Sequence, residues 1–487
     1  MSSLLDQSAR ALARRIRTRE LSPVEVIDQH IARIEAVNPA INAVIADCFE
    51  RARAEAQTAE RLVMRPSTAA EDLPPLLGLP FTAKEFIGVE GMPHSAGIWS
   101  RRETRASEDA ETIRRLRKAG AILVGITNVP EGGLWLETYN TIYGHTLNPW
   151  NPRRSAGGSS GGEGAIISAG GVAFGLGADI GGSIRIPAAF CGIVGHKPTG
   201  RMVPNTGLWP LPEGELSAYH VCGPMTRRVE DVMPILRALA GPDGVDPVTR
   251  PWTLEDETNI DLRDVTVYPL ESNGRTRVRN RMRVAVREAA NALAARGAKI
   301  GQLDLPSMRR AFEIWSAMMT SAGETLYTEV LGDGTPVALP RELLRVVSGR
   351  SRHTLPALLV AAADVLARRL PGTLDRMVRA GRALQHELED ILGPRGVLLH
   401  PPYTRPAPRH YGPLLTPFDF VCTALFNVME FPSTTLPVGF DRHGLPVGVQ
   451  VIGRRGADAL TVAVASALEQ DFGGWRRSEP RADRRVA

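Results

Sequence analysis

SAGGSSGGEG (155–164) is the stretch on which the reading of this 487-residue chain turns. Five glycines and three serines in ten residues is the composition of a flexible linker. It is equally that of a phosphate cradle, or of a loop whose backbone and hydroxyl groups do chemistry. A linker separates self-contained units and is followed by a change of composition. Here the glycine-rich style runs on into GLGADIGGSIRIPAAF (175–190), with apolar residues interleaved. Asp179, Arg185 and a second glycine-flanked serine lie in it, and a linker needs none of them. A phosphate loop of the G-x-x-x-x-G-K-[S/T] type needs a lysine to reach the phosphates. No lysine lies between 119 and 196, and GLGADIGG misses the G-x-G-x-x-G spacing by one residue. Gly157-Gly158-Ser159-Ser160-Gly161 does satisfy G-x-S-x-G, the nucleophile elbow of α/β-hydrolases. That elbow requires a strand just before the serine, and NPWNPRRSAG (148–157) is not one. Its histidine cannot be chosen either: His196, His220, His353, His386, His400, His410 and His443 all follow without distinguishing context.

Composition bounds the alternatives. With 43% hydrophobic and 23% charged residues the chain reads as globular, with enough apolar side chains for a sizeable core. Its longest apolar candidate, LPALLVAAADVLA (355–367), is too short to span a bilayer and carries Asp364. The N-terminal stretch has no apolar signal-peptide core. Four widely separated cysteines form no C-x-x-C pair, which argues against structural zinc or a disulfide framework and fits a reducing compartment. We therefore expect a cytoplasmic protein with no membrane span. Net charge is +5 without a run of like charges, and only 5% of residues are aromatic, so a nucleic-acid partner is not expected. Of 58 basic residues only Lys84, Lys118, Lys197 and Lys299 are lysine, so a lysine in an apolar setting needs a reason.

Organisation follows from periodicity. Residues 1–65 read as helices. Within them, SPVEVIDQHIARIEAV (22–37) opens with a capping box, Ser22 and Glu25, with Pro23 at the first helical position. GLPFTAKEF (78–86) reads as a buried strand with a polar end. DAETIRRLRKAGAILVGITN (109–128) reads as a helix, a stop at Gly120 and an apolar strand over 121–126. A helix at 164–169, a glycine-rich strand region at 171–178 and a helix at 229–240 follow. GPDGVDPVTRPW (241–252) is the best boundary signal. Helix and strand continue over 277–304, and 307–392 is mostly helical. GVLLHPP (396–402) and LPVGVQVIG (445–453) read as strands suited to completing an earlier sheet, before a helix at 457–470. This alternation indicates α/β layering. We expect one domain over 1–487: a helical segment (1–65), a core (70–240), a variable, mostly helical substrate side (241–395), and C-terminal strands and helix (396–475).

Serine chemistry with a lysine base remains. A serine hydroxyl is a poor nucleophile until something takes its proton. A lysine does so only when neutral, so burial has to lower its pKa, about 4–5 kcal/mol for a descent to about 7. Lys84 ends the apolar run LLGLPFTA. Lys118 sits in a charged helix, and Lys197 and Lys299 fall in turn-like contexts (HKPTG, RGAKI). The glycines before Ser183 let backbone N–H groups converge on one point, the geometry of an oxyanion hole. Asp179 and Arg185 are expected to brace that loop as an ion pair.

GGSSGG (157–162), DIGGSIRIPAAFCGIVGHKPTG (179–200) and PFTAKE (80–85) together resemble the amidase signature family, over about residues 70–240, with weaker similarity over 426–453. GLPFTAKEFIGVEGMPHSAG (78–97), AGAILVGITNVPE (119–131), NTIYGHTLNPWNP (140–152) and GGSSGGEGA (157–165) are most similar to its fatty-acid amide hydrolase branch, the second vertebrate type and its bacterial relatives. The resemblance implies a large mixed β-sheet covered by helices on both faces. It implies a triad of Ser183 as nucleophile, Ser159 on a cis Gly158–Ser159 peptide as proton relay, and Lys84 as base. The N–H groups of Ile180, Gly181, Gly182 and Ser183 would form the oxyanion hole. Ser160 would hydrogen-bond near Lys84, and Asp179 would orient the site. The implied reaction is hydrolysis of aryl or fatty amides through an acyl-enzyme, with carbamates and esters as side activities. No metal or cofactor is implied, and the protein would be a monomer or homodimer. Two departures stand out. Glu85 follows Lys84 where many members have aspartate. Gly132, Gly133 and Leu134 replace bulkier residues, which implies a wider site near Gly133 with Leu134 and Trp135 as walls. The alternative from another class is the catalytic, glutamine-hydrolysing subunit of a tRNA-dependent amidotransferase, which needs partner chains.

Overall fold

The computed structural model describes residues 3–65, 69–369 and 371–480. Its strands are β1 (Val44–Asp47), β2 (Pro80–Lys84), β3 (Ile122–Thr127), β4 (Tyr139–Asn140), β5 (Gly144–His145), β6 (Phe174–Asp179), β7 (Val194–Lys197), β8 (Val221–Thr226), β9 (Thr266–Pro269), β10 (Lys299–Ile300), β11 (Gly396–His400), β12 (Ser433–Phe440) and β13 (Pro446–Gly453). Apart from the β4–β5 hairpin they form one 11-stranded sheet in the order β1-β3-β2-β6-β8-β7-β12-β13-β11-β9-β10. The sheet is mixed: β3, β2 and β6 are mutually parallel, as are β11, β9 and β10, and the strands between them run antiparallel.

The interior strands β2, β3, β6, β7, β8, β11 and β13 are buried at every position. Strands covered on both faces read as unbroken apolar runs, and FGLGAD and ILVGIT do so. Alternation still sorts their side chains. Phe81, Leu123 and Leu176 join a core with the helices Ala9–Arg17, Val232–Leu239, Asn280–Ala295 and Asp458–Phe472. Ile122, Val124 and Met225 join one with Pro23–Ile41, Phe49–Val63, Gly161–Ser168 and Arg185–Cys191. Helices thus cover both faces. The edges are short and partly exposed, β1 at one side and Lys299–Ile300 at the other, which blunts them against further pairing.

The chain's late strands lie inside the sheet: β12 pairs antiparallel with β7, setting Ser433 opposite Lys197 and Thr434 opposite His196. The proline-rich stretch 241–252 is no free linker. Gly241 N–H donates to the Met202 carbonyl, Arg250 N–H to Arg201, and Asn205 N–H to the Asp246 carboxylate.

Several local expectations need correction. The segment 1–65 is not all helix, because Val44–Asp47 pairs with β3. Four residues are too short for a period to register. Ser22 caps its helix by accepting from the N–H of Val24 and Glu25, but Glu25 accepts from Gln29 instead of closing the box. The helix expected at 164–169 starts at Gly161. Lys197 is not in a turn but ends β7, fully buried, and Lys299 opens β10. Among the described residues no helix is long and apolar enough to cross a membrane.

Candidate active site

Three parallel strands end side by side. Lys84 closes β2 opposite Thr127 of β3, and Asp179 closes the neighbouring β6. The carboxyl ends of adjacent parallel strands are where an open α/β sheet leaves room for a ligand. Lys84 is fully buried, and its Nζ donates to Ser159 Oγ at 2.6 Å. Burial pulls its ammonium down to about 7, against the upward pull of Cys222, Asp179 and Glu163. The Phe86 ring, 4.2 Å from Nζ, forms part of that apolar wall.

Ser159 is presented by an ordered loop. The Gly158–Ser159 peptide is cis. Thr138 stitches the loop together: its hydroxyl donates to the Gly157 carbonyl at 2.9 Å and accepts from Gly161 N–H at 3.0 Å. Gly158 lies so close to the chain at 135–137 that a Cβ there would fall 2.8 Å from Glu137 N. Ser160 N–H donates to the Ser183 carbonyl at 3.1 Å, joining the two serine loops. The Ser160 hydroxyl exchanges bonds with the backbone of Ala178, not with Lys84.

Asp179 organises the second loop. Its carboxylate accepts from the N–H groups of Gly182 (2.7 Å) and Ile184 (3.0 Å) and from the Arg185 guanidinium. Burial acts upward on this carboxyl, but Arg185 overrides it and holds it well below the usual carboxylate range. Arg185 also donates to the Thr423 carbonyl, Gln450 and Asn427, so a buried cation is fully partnered. The donor set expected at 180–183 is therefore reduced by one. Gly182 N–H is occupied by Asp179, while those of Ile180, Gly181 and Ser183 have no protein acceptor among the described residues. Gly182 has φ +125°, a conformation that L side chains rarely adopt.

Ser159 and Ser183 both line a cavity of about 530 Å³, walled by Trp135, Phe312, Trp315, Leu359, Phe418 and Phe420 among others. Gly133 and Leu134 line it too. Beside them the Tyr327 hydroxyl lies where a Gly132 Cβ would point, and Phe86 lies 3.2 Å from where a Gly133 Cβ would be. His220 also lines the cavity, but its imidazole bonds Asn205, and burial beside Lys84 holds it down at about 3. Glu85 makes its own bonds away from this centre, accepting from Ser95 and from Ala96 N–H.

The family model described as Amidase matches residues 25–462. The chain belongs to the amidase signature family. Over 97% of its length it is 38% identical to fatty-acid amide hydrolase 2-A of Danio rerio, covering 90% of that protein. Over 95% it is 31% identical to an acylamidase of Rhodococcus erythropolis, covering 94%. A solved bacterial aryl acylamidase of the family superposes with a TM-score of 0.79 at 25% identity, over 95% of this chain and 96% of that one. The protein is an amidase, a hydrolase acting on amides, and its large mixed sheet is the family's fold.

Within this amidase the tertiary structure also brings in residues that the sequence alone does not single out. Glu163, inside the opening glycine stretch, accepts from the hydroxyls of Thr82 and Thr127 beneath Lys84, and burial pushes its carboxyl up to about 8. Asn427 donates to the Asp179 backbone carbonyl and carboxylate. Thr423 donates to the Gly181 carbonyl. The only available signal for Asn427 was its place in the weaker similarity over 426–453. Burial alone does not distinguish Lys84, since burial also brings Lys197 down to about 7. Lys197 Nζ donates to the Pro198 carbonyl at 2.8 Å and makes no hydrogen bond to a serine among the described residues.

Proposed function

We propose that this amidase cleaves amides through Ser183, Ser159 and Lys84. The observation that carries the reading is the 2.6 Å bond from Lys84 to Ser159, made by a buried lysine that burial holds at about 7, in a cavity shared by Ser159 and Ser183. At neutral pH a large fraction of Lys84 is unprotonated and can accept the Ser159 proton. Ser159 then accepts the proton of Ser183, whose oxygen attacks the substrate carbonyl. Negative charge on the carbonyl oxygen meets the N–H groups of Ile180, Gly181 and Ser183; each such donor is worth about 10²–10³ in rate. The C–N bond breaks as the nitrogen takes a proton back through Ser159, and the amine leaves. Water, deprotonated by the same relay, cleaves the Ser183 ester and regenerates the enzyme. Asp179 and Arg185 hold the loop and do not touch the reacting atoms.

The walls favour amides with an aryl or long apolar acyl group, in contact with Trp315, Phe312 and Phe420. Carbamates and aryl esters present the same carbonyl and are expected as side activities. The four cysteines are unpaired, which supports a cytoplasmic setting. The sheet that joins β7 to β12 supports treating the chain as one domain.

Labelling with a fluorophosphonate tests the nucleophile. Wild type is expected to label at Ser183 and Ser183→Ala to remain unlabelled, and labelling that persists in Ser183→Ala would overturn the assignment. Comparing kcat/KM for anilides, long-chain amides, short aliphatic amides and aryl carbamates tests the substrate class; preference for short aliphatic amides would contradict it.

A further inference from the structure

Away from the catalytic cavity, a second hollow of about 490 Å³ is lined by Arg277, Val278, Arg279, Asn280, Arg283 and Arg405. Four of these six residues carry a guanidinium and none carries a carboxylate. The cause is visible in the sequence: RTRVRNRMR (275–283) sets arginine at every second position, through a loop and into the first turn of helix Asn280–Ala295. Arg275 and Arg281 are taken up by ion pairs with Glu313 and Glu288. Arg283 pairs with Glu271 at 2.9 Å, and Arg405 with Asp419 at 2.7 Å. Arg277 and Arg279 have no carboxylate partner among the described residues, although both are exposed.

The segment that carries them is fixed. The Asn273 side chain accepts from the N–H groups of Arg275 and Thr276, Arg279 N–H donates to the Thr404 carbonyl at 2.8 Å, and Val278 is buried. No side chain caps the helix that begins there, so its first-turn N–H dipoles add positive potential to the hollow. Four guanidinium groups against two paired carboxylates leave two net positive charges converging on one concave site. Such a field attracts an anion, and the planar fork of arginine matches phosphate oxygens in pairs. The volume admits two linked phosphoryl groups.

We propose that this hollow is a binding site for a phosphate-bearing anion of two or more negative charges, gripped chiefly by Arg277 and Arg279 and flanked by Arg283 and Arg405. The proposal is independent of the catalytic reading, since none of these residues lines the cavity of Ser159 and Ser183.

Titration of the whole chain with inorganic pyrophosphate at low ionic strength, followed by calorimetry, tests it. Wild type is expected to bind saturably, and Arg277→Ala/Arg279→Ala to bind at least ~10-fold more weakly, a loss of about 1.4 kcal/mol or more. Arg14→Ala/Arg379→Ala, which removes two exposed arginines elsewhere, is expected to bind like wild type. Both double variants should keep wild-type amide turnover, which reports that they are folded. Absence of saturable binding by wild type, or equal weakening in the two double variants, would overturn the site. Vesicles containing phosphatidic acid form a second arm. Retention that pyrophosphate displaces assigns the phosphate to a lipid headgroup, and no retention assigns it to a soluble ligand. Vesicle retention that survives Arg277→Ala/Arg279→Ala counts against the site.

Discussion

Two nitrogens of Arg185 donate to the two carboxylate oxygens of Asp179 at 2.9 and 3.0 Å, and neither side chain reaches solvent. Removing one member strands a buried charge. Arg185→Met is expected to destabilise the protein by about 3–5 kcal/mol in urea denaturation. The carboxyl of Asp179 is held below its ordinary range. The pair's contribution is therefore fully present above about pH 4 and lost as pH falls through the lower native value. Arg185→Met should consequently flatten the acid limb of the stability curve, and an unchanged limb would contradict this account.

Lys84 is predicted to set activity against stability. Its native pKa is lowered to about 7, so between about 7 and the ordinary lysine value near 10.4 the unfolded chain holds a proton the native one lacks. Stability due to this residue therefore rises with pH through that window and is lowest below it. Lys84→Met is expected to abolish amide turnover and yet raise stability at pH 7, by up to about 4 kcal/mol less the lost bond to Ser159. Thermal unfolding measured beside turnover checks both signs.

The same lowered value fixes a pH profile. In wild type, kcat/KM should rise with pH along a single limb of apparent pKa near 7, as neutral Lys84 becomes available. A profile flat from acid to neutral pH would remove Lys84 from the proton path.

Gly182→Ala tests the loop rather than the triad. At φ +125° an alanine is strained, and its Cβ would fall 2.8 Å from Ile186 Cδ1 and closer still to the Thr423 hydroxyl. A loss of roughly 1–3 kcal/mol is expected, with fluorophosphonate labelling slowed at least ~10-fold as the neighbouring N–H groups turn away. Labelling at the wild-type rate would mean that this backbone geometry is not needed.

His353 gives a further pH effect, at the cavity wall. Glu131, buried, accepts from His353 Nδ1 and from Thr354 N–H, both at 2.6 Å, at the start of helix Leu355–Ala367, which lines the cavity. Burial acts downward on the imidazole, but Glu131 overrides it and raises the pKa. The bond thus contributes fully below about pH 6.5 and weakens as pH rises through the elevated native value. Amide exchange over 355–358, corrected for its intrinsic rate, should quicken in alkaline solution in wild type but not in His353→Phe.

Much of this architecture is legible in one dimension because its signals are local. GLPFTAKEF and AILVGIT announce buried strands by unbroken apolar runs, and Gly120 stops its helix at φ +92°. The strand β1 left no comparable trace, being four residues held by pairing with β3. HKPTG carries turn residues just after β7, and the pattern could not reveal that β12 would cover Lys197.

The linear order of residues sets the chemistry on offer: a few lysines, two serines among glycines 24 residues apart, and an aspartate and an arginine on either side of the second. Which lysine meets a serine was decided by tertiary structure, because two buried lysines have similarly lowered pKa values and only strand order carries one of them to Ser159. Tertiary structure likewise assigned Gly182 N–H to Asp179 and brought Asn427 and Gln450 under the loop from far along the chain. The physical reason is common to these cases. Burial and hydrogen-bond partnership at each position depend on strands and helices distant in sequence, and no local pattern encodes them.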